Sequence, residues 1–225
     1  MTSSLWQAHG NTYLVAETDE YVMEPGLDGV MQVLEVDGDD VTVAIVNSDG
    51  SLAEMAGNGT RMAAAWLMDR TGSGVASVHV GPRTVDVRRV GERLYESDMG
   101  EVHVGEVETV DGIELVAVDV GNPHAVVFDD LARLDELGPL LETHPRFPNR
   151  TNVQVARRDG PAEATARVWE RGVGETTASG SSAVAVAAAA FGEGDVVVHF
   201  PGGDLRVRLH AGRARLTGPA EPVEG

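Results

Sequence analysis

The sequence predicts an α+β fold of two halves, each a curved, mainly antiparallel sheet around one central Ala-rich helix. Short alternating or Val-rich runs dominate the chain, and helical pattern is confined to a few segments. A small polar turn followed by an alanine run occurs twice, as "EMAGNGTRMAAAWL" (54–67) and "GETTASGSSAVAVAAAAF" (174–191). Many strands with one such helix per half is the α+β pattern. Small residues along both helices let a sheet approach on most sides.

In chain order, the strand candidates begin with "TYLVAE", "GVMQVLEV", "VTVAIVNSDG", "VASVHV" and "TVDVRRVGERLYESDM". They continue with "IELVAVDV", "HAVVF", "TNVQVARRD", "ATARVWERG" and "DVVVHFPGGDLRVRLHAGRARLTG". Turn signals such as Asp-Gly, Gly-Glu, Pro-Gly-Gly and Ala-Gly separate them, the mark of hairpins and meanders. Helices are expected near 58–70, 130–142 and 180–191. No low-complexity linker divides the chain. The least committed stretch, "TVDGIELVAVD", puts a boundary near residue 113, giving halves of 1–112 and 113–212.

At 225 residues the chain holds one large domain or two small ones with a real core. The formal net charge is -19, and all 17 basic residues are arginine. That balance repels phosphate backbones, so no nucleic-acid partner is expected. The acidic residues are scattered, which fits a solvated, salt-tolerant surface. No apolar run reaches membrane-span length, and the first residues lack the basic start of a signal peptide. A cytoplasmic protein with no membrane partner is the expectation. There is no cysteine, which excludes disulfides, thiolate zinc sites and cysteine nucleophiles. No metal site is expected.

Both polar turns leave backbone N–H groups at a helix start, where the helix dipole favours a carboxylate or phosphate. Gly57, Gly59 and Gly180 let a ligand come close to the backbone. Around them lie polar residues that strands do not require: Asn47, Asn122, His124, Asn152, Glu170 and Arg171. Singly, each also has a structural explanation. Asn47 can be a hairpin turn, Asn122 a pre-proline turn, and Glu170 with Arg171 a surface pair.

The segments "EMAGNGTRM" and "WERGVGETTASGSSA", with "NSDGS", "GNPH" and "TNVQV" in order, resemble the diaminopimelate epimerase family. The opening "AHGNTYLV" is similar to that family's first strand, which ends near a substrate-binding Asn, here Asn11. The matches run from about residue 8 to 191, so nearly the whole chain is covered. The resemblance implies two halves related by a pseudo-twofold axis, an active site in the cleft between them, and a homodimer. It also implies that the final strand, in 213–225, completes the first half. The family needs no cofactor and inverts the α-carbon of a free amino acid, here expected to be diaminopimelate. By motif position, Gly180 and Ser181 would bind the α-carboxylate, with Gly57 and Asn58 doing similar work at the first helix. Asn11, Asn47, Asn122, Asn152, Glu170 and Arg171 fall on substrate-binding positions, and His124 and Glu170 on those that support the reacting pair.

In this family the base and acid on either face of the α-carbon are cysteines, each opening one of the two helices. Here those positions are Ala56 and Ser179. Alanine moves no proton, and a serine hydroxyl needs a partner to act as a base. Three accounts follow: an epimerase whose cysteines have been exchanged, a one-base dehydratase or lyase using Ser179 with Glu170 or His124, and a non-catalytic amino-acid binder. The family also carries a longer segment with a helix where only "TDEYVMEP" intervenes before Gly26, Asp28 and Gly29. That shortening is expected to thin one wall of the first half.

Overall fold

The structure is a computed structural model that describes residues 3–18, 26–47, 50, 52 and 57–223, with Asn47 described in its backbone alone. The chain forms two compact units, Met1–Asp98 with Thr217–Gly225, and Met99–Leu216.

In the first unit, β1 (Ser3–Ala8) and β2 (Asn11–Ala16) form an antiparallel hairpin. β3 (Gly29–Asp37) runs parallel to β2 and pairs antiparallel with β4 (Asp40–Asn47). Helix α1 (Gly57–Thr71) then carries the chain to β5 (Val75–Val80), which lies parallel to β4 and antiparallel to β6 (Arg83–Gly91). Parallel neighbours need a long crossover, and α1 supplies it. The described core of this unit wraps α1, whose Met62, Ala63, Ala64, Ala65, Leu67 and Met68 are all buried against residues such as Trp6, Met31, Ile45 and Tyr95. A helix buried on nearly every side needs no wide polar face, and small side chains let the strands close around it.

β7 (Leu94–Glu101) carries the chain into the second unit. There β8 (His103–Val110), β9 (Ile113–Asp119) and β10 (Pro123–Phe128) form an antiparallel meander. A 3-10 turn (Leu131–Arg133) and α2 (Leu134–Glu142) lead to β11 (Asn152–Arg158), parallel to β10. β11 pairs antiparallel with β12 (Glu163–Glu170), which turns back into the short β13 (Gly174–Thr176). Helix α3 (Gly180–Phe191) crosses to β14 (Gly194–Phe200), parallel to β12 and antiparallel to β15 (Gly203–His210). β16 (Arg213–Pro219) returns the chain to the first unit, where β17 (Glu221–Pro222) pairs with β1.

The two units therefore repeat one order: hairpin, parallel neighbour, antiparallel partner, Ala-rich helix, parallel neighbour, antiparallel partner. Alternation sets the facing of the strands, as in β15, where Leu205, Val207 and Leu209 are buried and Arg206 and Arg208 are exposed. Helix α3 ends at Gly192, whose φ of 74° closes the last turn through its N–H to the Ala188 carbonyl. The parallel pairs join what the sequence reads as successive hairpins. Residue 113 opens β9, inside a hairpin with β8, whereas the chain changes unit within β7 and again within β16. A strand running through a junction carries no turn signal. Most of the shortened "TDEYVMEP" segment lies outside the described residues. No helix among the described residues is long and apolar enough to cross a membrane.

Candidate active site

In the second unit, Ser179 occupies the N-cap of α3 in extended conformation, yet its side chain makes no capping hydrogen bond. A serine there ordinarily accepts from the amide of the second or third helical residue. Instead its hydroxyl donates to Glu170 Oε2 at 3.2 Å, while Thr176 Oγ1 donates to Oε1 at 2.6 Å. The β12–β13 hairpin makes this possible, because Glu170 opposes Gly174 and brings Thr176 back alongside it. The first backbone bond into the helix runs from Ala183 N–H to the Ser179 carbonyl. The amides of Gly180, Ser181 and Ser182 thus have no acceptor within the helix, the arrangement that suits an anion.

Asn122 lies in the turn entering β10 and reaches Ser181 Oγ at 3.5 Å through Nδ2. Its Oδ1 sits 3.0 Å from His124 Nε2, and Gln154 Nε2 sits 3.0 Å from His124 Nδ1. The amide N–H of Gln154 donates to Nδ1, so the proton of the neutral imidazole is on Nε2, directed at Asn122. Gln154 also donates to Ser182 Oγ at 2.9 Å. Burial holds His124 far below its usual range, at about 3, and the Arg171 charge adds to the effect. His124 is therefore a neutral hydrogen-bonding post that holds Asn122 in place.

Asn152, at the start of β11, donates from Nδ2 to the Pro123 carbonyl at 2.9 Å and accepts the Arg171 N–H at 3.0 Å. It ties the Asn122–His124 turn to the turn that follows Glu170. The Arg171 side chain donates to the Asn149 carbonyl at 3.2 Å. A buried carboxylate fastens the same turn from the other side. Glu142, at the end of α2, accepts Gly172 N–H at 2.6 Å and Trp169 Nε1–H at 2.8 Å, and also pairs with Arg150.

In the first unit, Gly57 and Asn58 open α1, and Asn58 Nδ2 donates to Asn11 Oδ1 at 2.5 Å. Asn58 Oδ1 accepts Arg61 Nη2 at 2.6 Å. Arg61 is wholly buried, and burial lowers its guanidinium to about 10, which leaves it charged near neutrality. The backbone of Asn47 ends β4 opposite Gly29, with its side chain outside the described residues. Ala56 lies outside the described residues.

Sequence reasoning missed Gln154, Thr176, Glu142 and Arg61. Arg61 carried a signal, being the one charge in "GNGTRMAAAWLM". Gln154 carried a weaker one, a polar residue in the valine alternation of "TNVQV".

The profile of the diaminopimelate epimerase family matches residues 7–105 and 116–223. The chain belongs to the diaminopimelate epimerase family. It is 38% identical over 229 residues to diaminopimelate epimerase of Desulfitobacterium hafniense, covering 88% of this chain and 81% of the relative. It is 37% identical over 231 residues to the enzyme of Pelotomaculum thermopropionicum, covering 88% and 82%. Among solved structures, a PhzF-family phenazine biosynthesis protein from Bacillus anthracis superposes with a TM-score of 0.75 at 12% identity, covering 99% of this chain and 96% of that one. A hydroxyproline epimerase from Agrobacterium vitis, solved with bound trans-4-hydroxy-L-proline, gives 0.73 at 16% identity, covering 98% and 88%. At those identities the likeness shows the fold, shared with epimerases and racemases. In diaminopimelate epimerase terms, the two positions that the resemblance assigns to cysteine carry Ala56 and Ser179.

Proposed function

We propose that the chain is a cofactor-independent isomerase of the diaminopimelate epimerase type that binds diaminopimelate, with inversion at the α-carbon slowed by the loss of both thiols. The reading is carried by one observation in the second unit. Asn122, Asn152, Glu170, Arg171 and Ser181 gather by hydrogen bonds at or behind an α3 start whose first amides lack helical acceptors. The same proposal gives Gly180 and Ser181 the α-carboxylate. It gives Asn11, Asn47, Gly57 and Asn58 of the first unit substrate-binding roles, with Ala56 and Ser179 at the proton-transfer positions. Removing one positioned acid or base costs on the order of 10²–10⁴ in rate. Binding should therefore outlast efficient turnover. A homodimer and a cytoplasmic setting belong to the proposal as well.

The contact between Ser179 and Glu170 favours a second reading. A carboxylate beside the hydroxyl is the partner that serine needs to act as a base, and abstraction of the α-proton from one face suffices where the substrate carries a leaving group on its β-carbon to expel. Incubation of L,L- and meso-diaminopimelate in D₂O, followed by NMR, separates the two. Slow α-proton exchange with inversion is the expected result, raised at least about 10²-fold in the double variant Ala56→Cys, Ser179→Cys. α-Proton abstraction with expulsion of a β-substituent, seen as release of water from a β-hydroxy amino acid incubated in parallel, marks the one-base lyase. Ligand protection against heat without exchange marks a silent binder. If no amino acid in a panel raises the melting temperature, the proposed binding function is wrong.

A further inference from the structure

Arg61 is fully buried, yet no carboxylate among the described residues pairs with it. Its acceptors are all neutral: Asn58 Oδ1 at 2.6 Å, and the Gly57 and Pro219 carbonyls at 3.4 Å each. Desolvating a charge without an opposite charge is costly. The location adds to that cost, because the guanidinium sits near the start of α1, where the helix dipole is already positive. A core packed only for stability would place a methionine or leucine there. The two longer contacts are weak, so the short bond to Asn58 is the principal one.

That bond has a directional consequence. With Asn58 Oδ1 turned to the guanidinium, its Nδ2 must face Asn11 Oδ1, as found at 2.5 Å. The Asn11 amide is thereby oriented too, leaving its N–H₂ as the group it can offer. A polar relay from a buried cation to two amides, at a helix start already positive, is complementary to an anion.

We propose that Arg61 is a positioning residue for a carboxylate ligand at the start of α1: it fixes the Asn58 and Asn11 amides and holds behind them a positive charge for the ligand to offset. The inference rests on the amino-acid-binding reading above and assigns to it a residue that does not itself touch the ligand.

Thermal melts with malonate, set against sodium chloride of equal ionic strength, test the charge without requiring diaminopimelate. Calorimetric titration with diaminopimelate tests the consequence. Wild type should gain stability from malonate. Arg61→Met, folded by circular dichroism, should bind both ligands roughly tenfold or more weakly, through loss of the buried charge behind the amides and of the orientation it gives them. Asn58→Asp supplies Arg61 with an internal counter-charge of nearly the same shape, and the Asn11 amide turns its N–H₂ to the new carboxylate, which only accepts. It should melt above wild type without ligand and lose the malonate response. A strut that merely fills space would instead leave Arg61→Met binding like wild type, or leave Asn58→Asp melting lower, and either result overturns the inference. If Arg61→Met does not fold, Asn58→Asp decides alone. Malonate protection that depends on Arg61, without diaminopimelate binding, would keep this inference and remove that substrate. Diaminopimelate binding equal in wild type and Arg61→Met would do the reverse. No protection of wild type by either ligand removes both.

Discussion

His124 is 1% exposed, with both ring nitrogens engaged by Asn122 and Gln154. Its residue type and its place in "GNPH" suit a proton carrier, but its surroundings keep it neutral, at about 3. The charged group facing it is the Arg171 guanidinium, which opposes protonation further. In the unfolded chain the imidazole titrates near its ordinary value of about 6.5. Below that pH the unfolded state takes up a proton that the folded state refuses until about pH 3. Stability is therefore expected to fall as pH drops through this window, by on the order of several kcal/mol from this group. Urea denaturation at intervals between pH 7 and 4 should show a shallower decline in His124→Gln than in wild type. Parallel declines would mean that His124 is protonated in the fold. Ser179 depends on context in the same way: at an N-cap it would ordinarily cap, and here Glu170 takes its hydroxyl.

Among elements, the packing of α2 on β12 governs where Glu170 and Arg171 lie. Trp169 precedes them, and Glu142 of α2 holds its indole N–H and the Gly172 amide that follows. Gly138, a turn earlier on α2, makes room for the same ring. A Cβ there would come within 2.8 Å of Trp169 ring carbons. Gly138→Ala must push the indole or the helix aside, at an expected cost of about 1–3 kcal/mol. It should also weaken amino-acid binding, because the displaced strand end carries Glu170. Chemical denaturation and a binding titration on the same variant check both effects. An unchanged unfolding midpoint would show that α2 moves away freely. Burial at Gly138 was not apparent from "LDELGPLLE", where a glycine before a proline suggests only a weak point in a helix.

For the whole molecule, the last nine residues, Thr217–Gly225, belong to the first unit. Within it, Ala220 is fully buried in the core around α1, the Pro219 carbonyl accepts from Arg61, and β17 pairs with β1. Cutting the chain after Leu216 should unfold the first unit and leave the second with its own core. Hydrogen exchange is expected to show lost amide protection in β1–β4 and retained protection in β9–β12. Retained protection in both would make the tail dispensable. The acidic surface, at a net charge of -19, carries a further load of self-repulsion common to both units.

Local pattern was enough for the α+β class and for helices near 58–70, 130–142 and 180–191, found at 57–71, 134–142 and 180–191. Period-two and period-3.6 spacing are properties of neighbouring residues, so they can be read along the chain. Motif order was enough for the family, and the absence of cysteine, with alanine at 56 and serine at 179, is a fact of sequence alone. Only the tertiary structure decided that Gln154 directs the His124 proton, that Glu142 clamps the Glu170 turn, and that Arg61 is buried with no counter-charge among the described residues. Those contacts join residues from 3 to 158 positions apart. Hydrogen-bond direction and desolvation depend on what the fold brings within about 3 Å, and local spacing along a chain does not encode that distance.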